Sequence, residues 1–447
     1  MLHRRAGFGA NWQQLQRDLE DGPQPSIERM LAGQSRAVDA EAFEATSEVL
    51  LRSAVRSGQI SRLSAWWIYR MYLGSNPLAE RRTLMWHNHF ATSQRTIQNV
   101  FRMYRQNHLF RTLGQGKFRE LLITVIKDPA MLLWLNANDN RPAHPNENLA
   151  RELMELFSLG IGNYSEDDVK EAARALAGWT TTTMPSNDDP FSETYSDTLV
   201  VRQYWKDRFS KTILGQTGEW DGDDLLDMVL KHPATPRRLA WRICDELFGE
   251  QVVSDEALEE LATGLVDHEL DIEWAFATVL KSELFFSKEN LKTRIAAPET
   301  FVLGNLIALD TTDTPASTMA LDNVLTILGR SLFRPPNVGG WDGGRLWLNG
   351  RTLVARANFV HELVANGLNR NSKRPEYNRI INAFENPEDI ESTVTQLSEL
   401  LLGVDRDNVD DQGLIKNATR QAKQQSSETR WPFTVQLLLS TPSSQLC

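Results

Sequence analysis

The stretch from His144 to Trp179, HPNENLARELMELFSLGIGNYSEDDVKEAARALAGW, constrains the fold more than any other part of the chain. Leu149, Leu153, Leu156 and Phe157 recur at helical spacing, which predicts a helix from about Asn146 to Leu159. Residues set about 100° apart put Glu147, Arg151, Glu155 and Ser158 on a second face, with Asn148 and Glu152 beside it. Gly160 and Gly162 end the helix, because glycine takes the left-handed conformation a C-cap needs. Ser165 opens a second helix, and Asp168 three residues on completes a short-armed capping box. Glu166, Asp167 and Asp168 suit the positive end of that helix. Val169, Ala172, Ala173 and Leu176 form its buried face, and Trp179 follows Gly178 at the exit.

The polar face of the first helix has two readings. As a wet surface, Glu147, Arg151 and Glu155 at four-residue spacing stabilise the helix by only a few tenths of a kcal/mol, roughly, per pair. As the lining of a cleft, the same face presents carboxylates and an arginine among the short polar residues Asn146, Asn148 and Ser158.

The 447 residues suffice for a large core. An apolar content of 41% with 24% charged residues is that of a globular protein. The net charge of -11 argues against a general nucleic-acid binder and against attraction to an anionic membrane. Two cysteines, Cys244 and Cys447, make neither a disulfide framework nor a zinc-cysteine site. No apolar run reaches transmembrane length. The start, MLHRRAGFGA, lacks the apolar segment of a signal peptide, so export would need a leader upstream of it. Thirteen tryptophans serve either as core packing or as stacking faces for sugar rings.

Helical spacing runs through most of the chain. Residues 61–73 are apolar nearly all round and predict a central buried helix. Asn76-Pro77 is a cap with proline at the first helical position, and the helix it begins reaches His87-Asn88-His89. Imidazoles two residues apart chelate one ion only from extended or irregular backbone; in a helix they point roughly 200° apart. His87 and His89 therefore read either as ligands of a divalent metal, with Glu152 or Glu155 completing the set, or as hydrogen-bonded core histidines. Residues 94–111 carry four arginines, as a wet basic face or an anion contact. Residues 198–204 read as a strand in a hairpin with residues near 191–195. Lys211-Thr212-Ile213-Leu214-Gly215 lacks the phosphate-loop pattern. Further helices are predicted at 223–230, 235–248, 254–267, 272–282, 297–309 and 317–329. Four glycines around Trp341 and Asp342 imply a tightly turning loop with exposed amides. In it Asn337, Asp342 and Arg345 offer hydrogen bonds and Trp341 a flat face. No internal repeat is visible.

The expected fold is all-α, one large compact unit with a small β hairpin insertion. Along the chain this reads as an N-terminal helical half (1–180), an insertion at about 185–215 and a C-terminal helical half (216–447).

The segments HRRAGFGA (3–10), PLAERRTLMWHNHFATS (77–93), the organising stretch from 145 to 179, KTILGQTGEWDGDDLLDMVLKHPAT (211–235) and RPPNVGGWDGGRLWLNGRTLVARANF (334–359) together resemble the bacterial domain-of-unknown-function 1800 family. The resemblance implies a mainly helical bacterial protein. Members are often encoded beside exported sulfatase-like proteins, which implies the cell envelope and a protein partner. It brings no established reaction. Members commonly show a His-Asp pair just before the KTxLG segment, where this chain has Lys206-Asp207-Arg208.

These residues suit two functional classes. The first is an enzyme acting on an envelope or extracellular glycan. Its acid and base would come from Glu147, Glu152 and Glu155, and its substrate contacts from Arg151, Asn148, Trp179, Asn337, Trp341, Asp342 and Arg345. Carboxylates on one helix turn lie close together for the opposed pair of a glycosidase. A metal at His87 and His89 is the other catalytic version. The second class is a non-enzymatic assembly or maturation partner of an exported sulfatase-like protein, in which the same clusters are buried networks.

Overall fold

Helices form where caps and apolar stripes coincide. In the computed structural model, which describes residues 1–36, 38–181, 191, 197–313, 315–365, 368 and 375–447, twenty-three α-helices and two small hairpins appear among the described residues. The fold is all-α apart from those hairpins, as the periodicity predicts. The central helix spans Ile60–Leu73 and buries Trp67, Ile68, Met71 and Tyr72 completely. Asn76 caps the next helix, Pro77–His89, by accepting from the Ala79 amide at 3.0 Å. Downstream, Gly222–Lys231, Ala234–Leu247, Asp255–Asp267, Ile272–Lys281, Pro298–Ala308 and Thr318–Ile327 fall where helical spacing placed them. No helix among the described residues is long and apolar enough to cross a membrane.

The organising stretch departs from its predicted shape in one respect. The α-helix covers only Asn148–Glu152 and passes into a π-helical turn, Leu153–Ser158. The wider turn rotates the residues beyond it, so the single polar face expected from Glu147 to Ser158 does not form. Ser158 is fully buried and its hydroxyl donates to the Leu153 carbonyl at 2.5 Å. After the turn the capping box forms as its residues predict: Ser165 Oγ accepts from the Asp168 amide at 3.1 Å, and Asp168 Oδ2 from the Ser165 amide at 2.8 Å.

The strand read at 198–204 exists as Leu199–Val201, but its partner differs. It pairs antiparallel with Trp179–Thr181, Thr180 standing opposite Val200. Residues 192–195 of the expected partner lie outside the described residues. Asn138 Oδ1 holds the first strand from behind, accepting from Thr180 Oγ1 at 2.8 Å and the Thr181 amide at 3.0 Å. A second hairpin pairs Lys211–Ile213 with Gln216–Gly218.

Two apolar cores result, and both take residues from either side of the hairpins. One gathers Trp86, Phe90, Phe110 and Phe157 with Leu226, Ile243 and Phe276. The other gathers Phe8, Trp67 and Tyr72 with Leu303, Phe333, Leu397 and Leu438. Helix Pro77–His89 serves both, since Trp86 lies in the first and Leu84 in the second. The first ten residues are locked across them. Gly9 crosses Gly304 so closely that a Cβ on Gly9 would meet the Gly304 Cα at 2.8 Å. Arg5 donates to the carbonyls of Leu247 at 3.1 Å, Asn290 at 2.9 Å and Cys447 at 2.6 Å.

Candidate functional site: an arginine-floored hollow beside Trp241

Where the two cores meet, a hollow of about 340 Å³ opens between helices Pro77–His89, Ala234–Leu247 and Pro298–Ala308 and the loop around Trp341. Its floor is ionic. Arg81 Nη1 lies 3.6 Å from both Glu246 Oε1 and Glu299 Oε1. Arg330 forms a forked pair with Glu299, at 3.1 and 3.2 Å. Arg242 Nη2 donates to Glu246 Oε2 at 3.2 Å, and Arg294 approaches the same oxygen at 3.8 Å. Burial alone would raise the Glu299 pKa, but Arg330 and Arg81 outweigh it and hold the carboxyl below its ordinary value. The floor thus sets four guanidiniums against three carboxylates, since Asp245 takes Arg242 Nη1 at 2.7 Å.

The loop forms the wall. Asn88, next to the helix end, accepts from the Trp341 amide with Oδ1 at 2.7 Å. The Arg330 guanidinium lies over Trp341, 4.6 Å from the ring centroid, and 5.3 Å from that of Trp347. Both indoles are therefore buried and already stacked. The open indole is Trp241, 40% exposed at the mouth. Trp241 also borders a second hollow of about 560 Å³, lined by the Leu159–Asn163 turn, Arg237 and Arg238. The Arg238 guanidinium covers one face of Trp241 at 4.3 Å. It also donates through two nitrogens to the Leu156 carbonyl, at 3.2 Å each. That carbonyl lies within the π turn, so the organising stretch meets the second hollow both directly, through Leu159–Asn163, and through Arg238.

The residues singled out from the sequence distribute unevenly over this geometry. Trp341 and Asp342 line the first hollow, the indole buried and the carboxylate exposed at the rim. Asn337 is exposed and turns back on the Gly339 amide at 2.9 Å. Arg345 is 87% exposed and faces Glu250 at 3.4 Å. Glu147 and Arg151 pair at 2.9 Å, and Arg151 pairs again with Glu166 at 2.8 Å, on a partly exposed surface. Asn148 is exposed. Trp179 is 4% exposed in its strand, against Gly222. Glu155 accepts from the Tyr164 hydroxyl at 2.9 Å, while burial and then Glu155 raise the Glu152 pKa.

His87 and His89 are both buried and face different surroundings. His87 packs among Trp67, Phe110, Phe333 and Trp341, and its Nε2 has no hydrogen-bond partner. Burial, and then the nearby Arg330 charge, push its pKa down to about 3. His89 Nε2 lies 3.2 Å from the Phe157 carbonyl. Among the described residues no three His, Cys, Asp or Glu side chains converge as metal ligands.

Sequence reasoning passed over Arg81, Trp241, Arg242, Glu246, Arg294, Glu299 and Arg330. A signal was present in Glu299 and Arg330. Glu299 is a lone acid in an otherwise apolar helix, PETFVLGNLIA, and Arg330 follows another apolar helix closely. A charge at a buried helical phase needs a buried partner.

No curated protein and no solved structure matches this chain. The family model described as protein of unknown function (DUF1800) matches residues 1–446, so the chain belongs to that family.

Proposed function

We propose that the protein binds an acidic glycan of the cell envelope along the surface that joins the two hollows, with Trp241 as the stacking platform between them. The observation that carries this reading is an exposed indole set between two arginine-lined hollows. Arg81, Arg242, Arg294 and Arg330 in the lining offer forked donors to a uronate or sulfate group. The rim carboxylates Asp245, Glu250 and Asp342 suit sugar hydroxyls and disfavour a densely charged polyanion such as nucleic acid. Calorimetric titration with a uronate-containing oligosaccharide and a neutral one of equal length tests it. The acidic sugar should bind at least about tenfold more tightly, and Trp241→Ala should weaken it by about tenfold or more. Equal binding of the two sugars, or an unaffected Trp241→Ala variant, rejects the reading.

One observation favours a hydrolytic version. Glu152 has a raised pKa beside Glu155, the pairing an acid and a base require. In that version Glu152 donates the proton and Glu155 or Glu147 acts as base. Glu152→Gln would then abolish release of reducing ends while leaving glycan binding intact; a variant that still releases them excludes it.

A further inference from the structure

A hollow of about 660 Å³ shares no residue with the two beside Trp241. It lies between helix Trp12–Asp21, the segment around Ser35 and Arg36, and helices Ala40–Ser57 and Ile60–Leu73. Its volume is that of a site for a small organic molecule.

Arg36 distinguishes it. Its Nη1 donates to the Tyr72 carbonyl at 2.6 Å, while Nε and Nη2 are buried with no partner. No carboxylate among the described residues pairs with it. At several other arginines the fold supplies one: Glu80 for Arg111 at 2.8 Å, Asp197 for Arg102 at 2.7 Å, Glu299 for Arg330 at 3.1 Å. A guanidinium taken from water without a counterion is costly, and the cost falls when an anion arrives. Burial lowers its pKa to about 10, which still leaves it charged at neutral pH.

The other charged groups lining the hollow are spoken for. Arg17 donates to the Ser35 carbonyl at 3.2 Å and lies 3.4 Å from Asp18. Asp39 caps helix Ala40–Ser57 through the Ala42 amide at 3.1 Å and is exposed. Asp313 is exposed and pairs with Arg379 at 2.5 Å. One side of the lining is aromatic, the rings of Phe43 and Tyr69 stacking with centroids 5.0 Å apart, while Asn11, Gln14 and Thr46 make other parts of it polar.

We propose that this hollow binds a small organic oxyanion, its carboxylate or phosphate seated on Arg36 and its flat apolar body against the Phe43–Tyr69 wall. The arrangement sets one cation without a carboxylate partner in the same hollow as a pair of stacked rings.

Calorimetry on the full chain with benzoate, phenyl phosphate, acetate and inorganic phosphate, at matched ionic strength, tests the assignment. One of the two aryl anions should bind about tenfold more tightly than its bare counterpart, and which one identifies the oxyanion. Arg36→Met should melt cooperatively and bind that aryl anion more than tenfold more weakly. Failure of both aryl anions to bind the wild type, or undiminished binding by Arg36→Met, overturns the proposal. If Arg36→Met does not fold, Tyr69→Leu decides. Loss of the aryl advantage with binding of the bare anion retained supports the site, and an unchanged aryl advantage overturns it.

Discussion

Asn88 grips the main chain of Trp341 at both of its polar ends: its Oδ1 accepts from the Trp341 amide at 2.7 Å and its Nδ2 donates to the Trp341 carbonyl at 3.4 Å. One side chain at a helix end thus fixes a loop more than two hundred and fifty residues away in sequence. Asn88→Ala should cost about 1–2 kcal/mol in denaturant unfolding. It should also speed hydrogen exchange at the Trp341 amide by tenfold or more, roughly. An unchanged exchange rate would mean the loop is held by its indoles alone.

Gly340 sits against the same amide. Its φ is +82°, and an added Cβ would meet Asn88 Oδ1 at 2.3 Å and the Asn88 carbonyl at 2.5 Å. Gly340→Ala combines left-handed strain with a backbone collision, so we expect a loss of about 2 kcal/mol or more. A Tm within a degree or so of wild type, on the order of experimental error, contradicts this packing.

Asp128 makes stability fall with rising pH. Burial raises its pKa from 3.8 to about 7 in the folded protein. The folded state therefore holds a proton that the unfolded state has released, and between about pH 4 and 7 stability drops as pH rises. Asp128→Asn keeps the shape of the group that accepts from the Ala130 amide at 3.1 Å and removes the charge. Denaturation curves at several pH values should show a shallower decline in this window for the variant than for wild type. Parallel slopes would place the titration elsewhere.

His87 acts in the opposite sense. Its folded pKa of about 3 lies below the ordinary 6.5, so the unfolded state binds the proton first. Stability from this group is full above pH 6.5 and is lost as pH falls toward 3. His87→Phe should reduce the acid sensitivity of the fold. Its surroundings are aromatic rings and a guanidinium rather than carboxylates, so dialysis against a chelator should leave Tm unmoved. A chelator-induced drop abolished in His87→Ala, His89→Ala would support a metal at these residues instead.

Arg151 joins Glu147 and Glu166 on a partly exposed surface. Such pairs contribute little, so Arg151→Ala should cost less than about 1 kcal/mol. A loss of several kcal/mol, roughly that of a buried pair, would mean the surface is covered in the working protein.

Much of this fold was legible because its helices announce their own ends. The Asn76-Pro77 start and the Ser165–Asp168 box both form as their residues require. The π turn at Leu153–Ser158 was not legible, because its apolar residues satisfy α spacing equally well and the extra residue per turn is settled by tertiary partners. Arg238 and His89, far off in sequence, take the carbonyls of Leu156 and Phe157. The hairpin partner was missed for a related reason: Trp179–Thr181 reads as the tail of a helix until Asn138 is seen behind it. At the hollow, the glycine loop with Trp341 and Asp342 stood out by composition. Its floor did not, since Arg81, Glu246, Glu299 and Arg330 come from four separate segments and make sense only as a set.

The crossing of Gly9 over Gly304, with Arg5 reaching Leu247, Asn290 and Cys447, sets an order of events during synthesis. The segment His3–Ala10 cannot complete its contacts until residues as distant as Gly304 and Cys447 are in place. Pro77 and Arg81 can receive Gly7 and Phe8 early, but the latch over Gly304 is a late, long-range step. A nascent chain stopped short of residue 304 is accordingly a client for chaperones rather than a half-built protein.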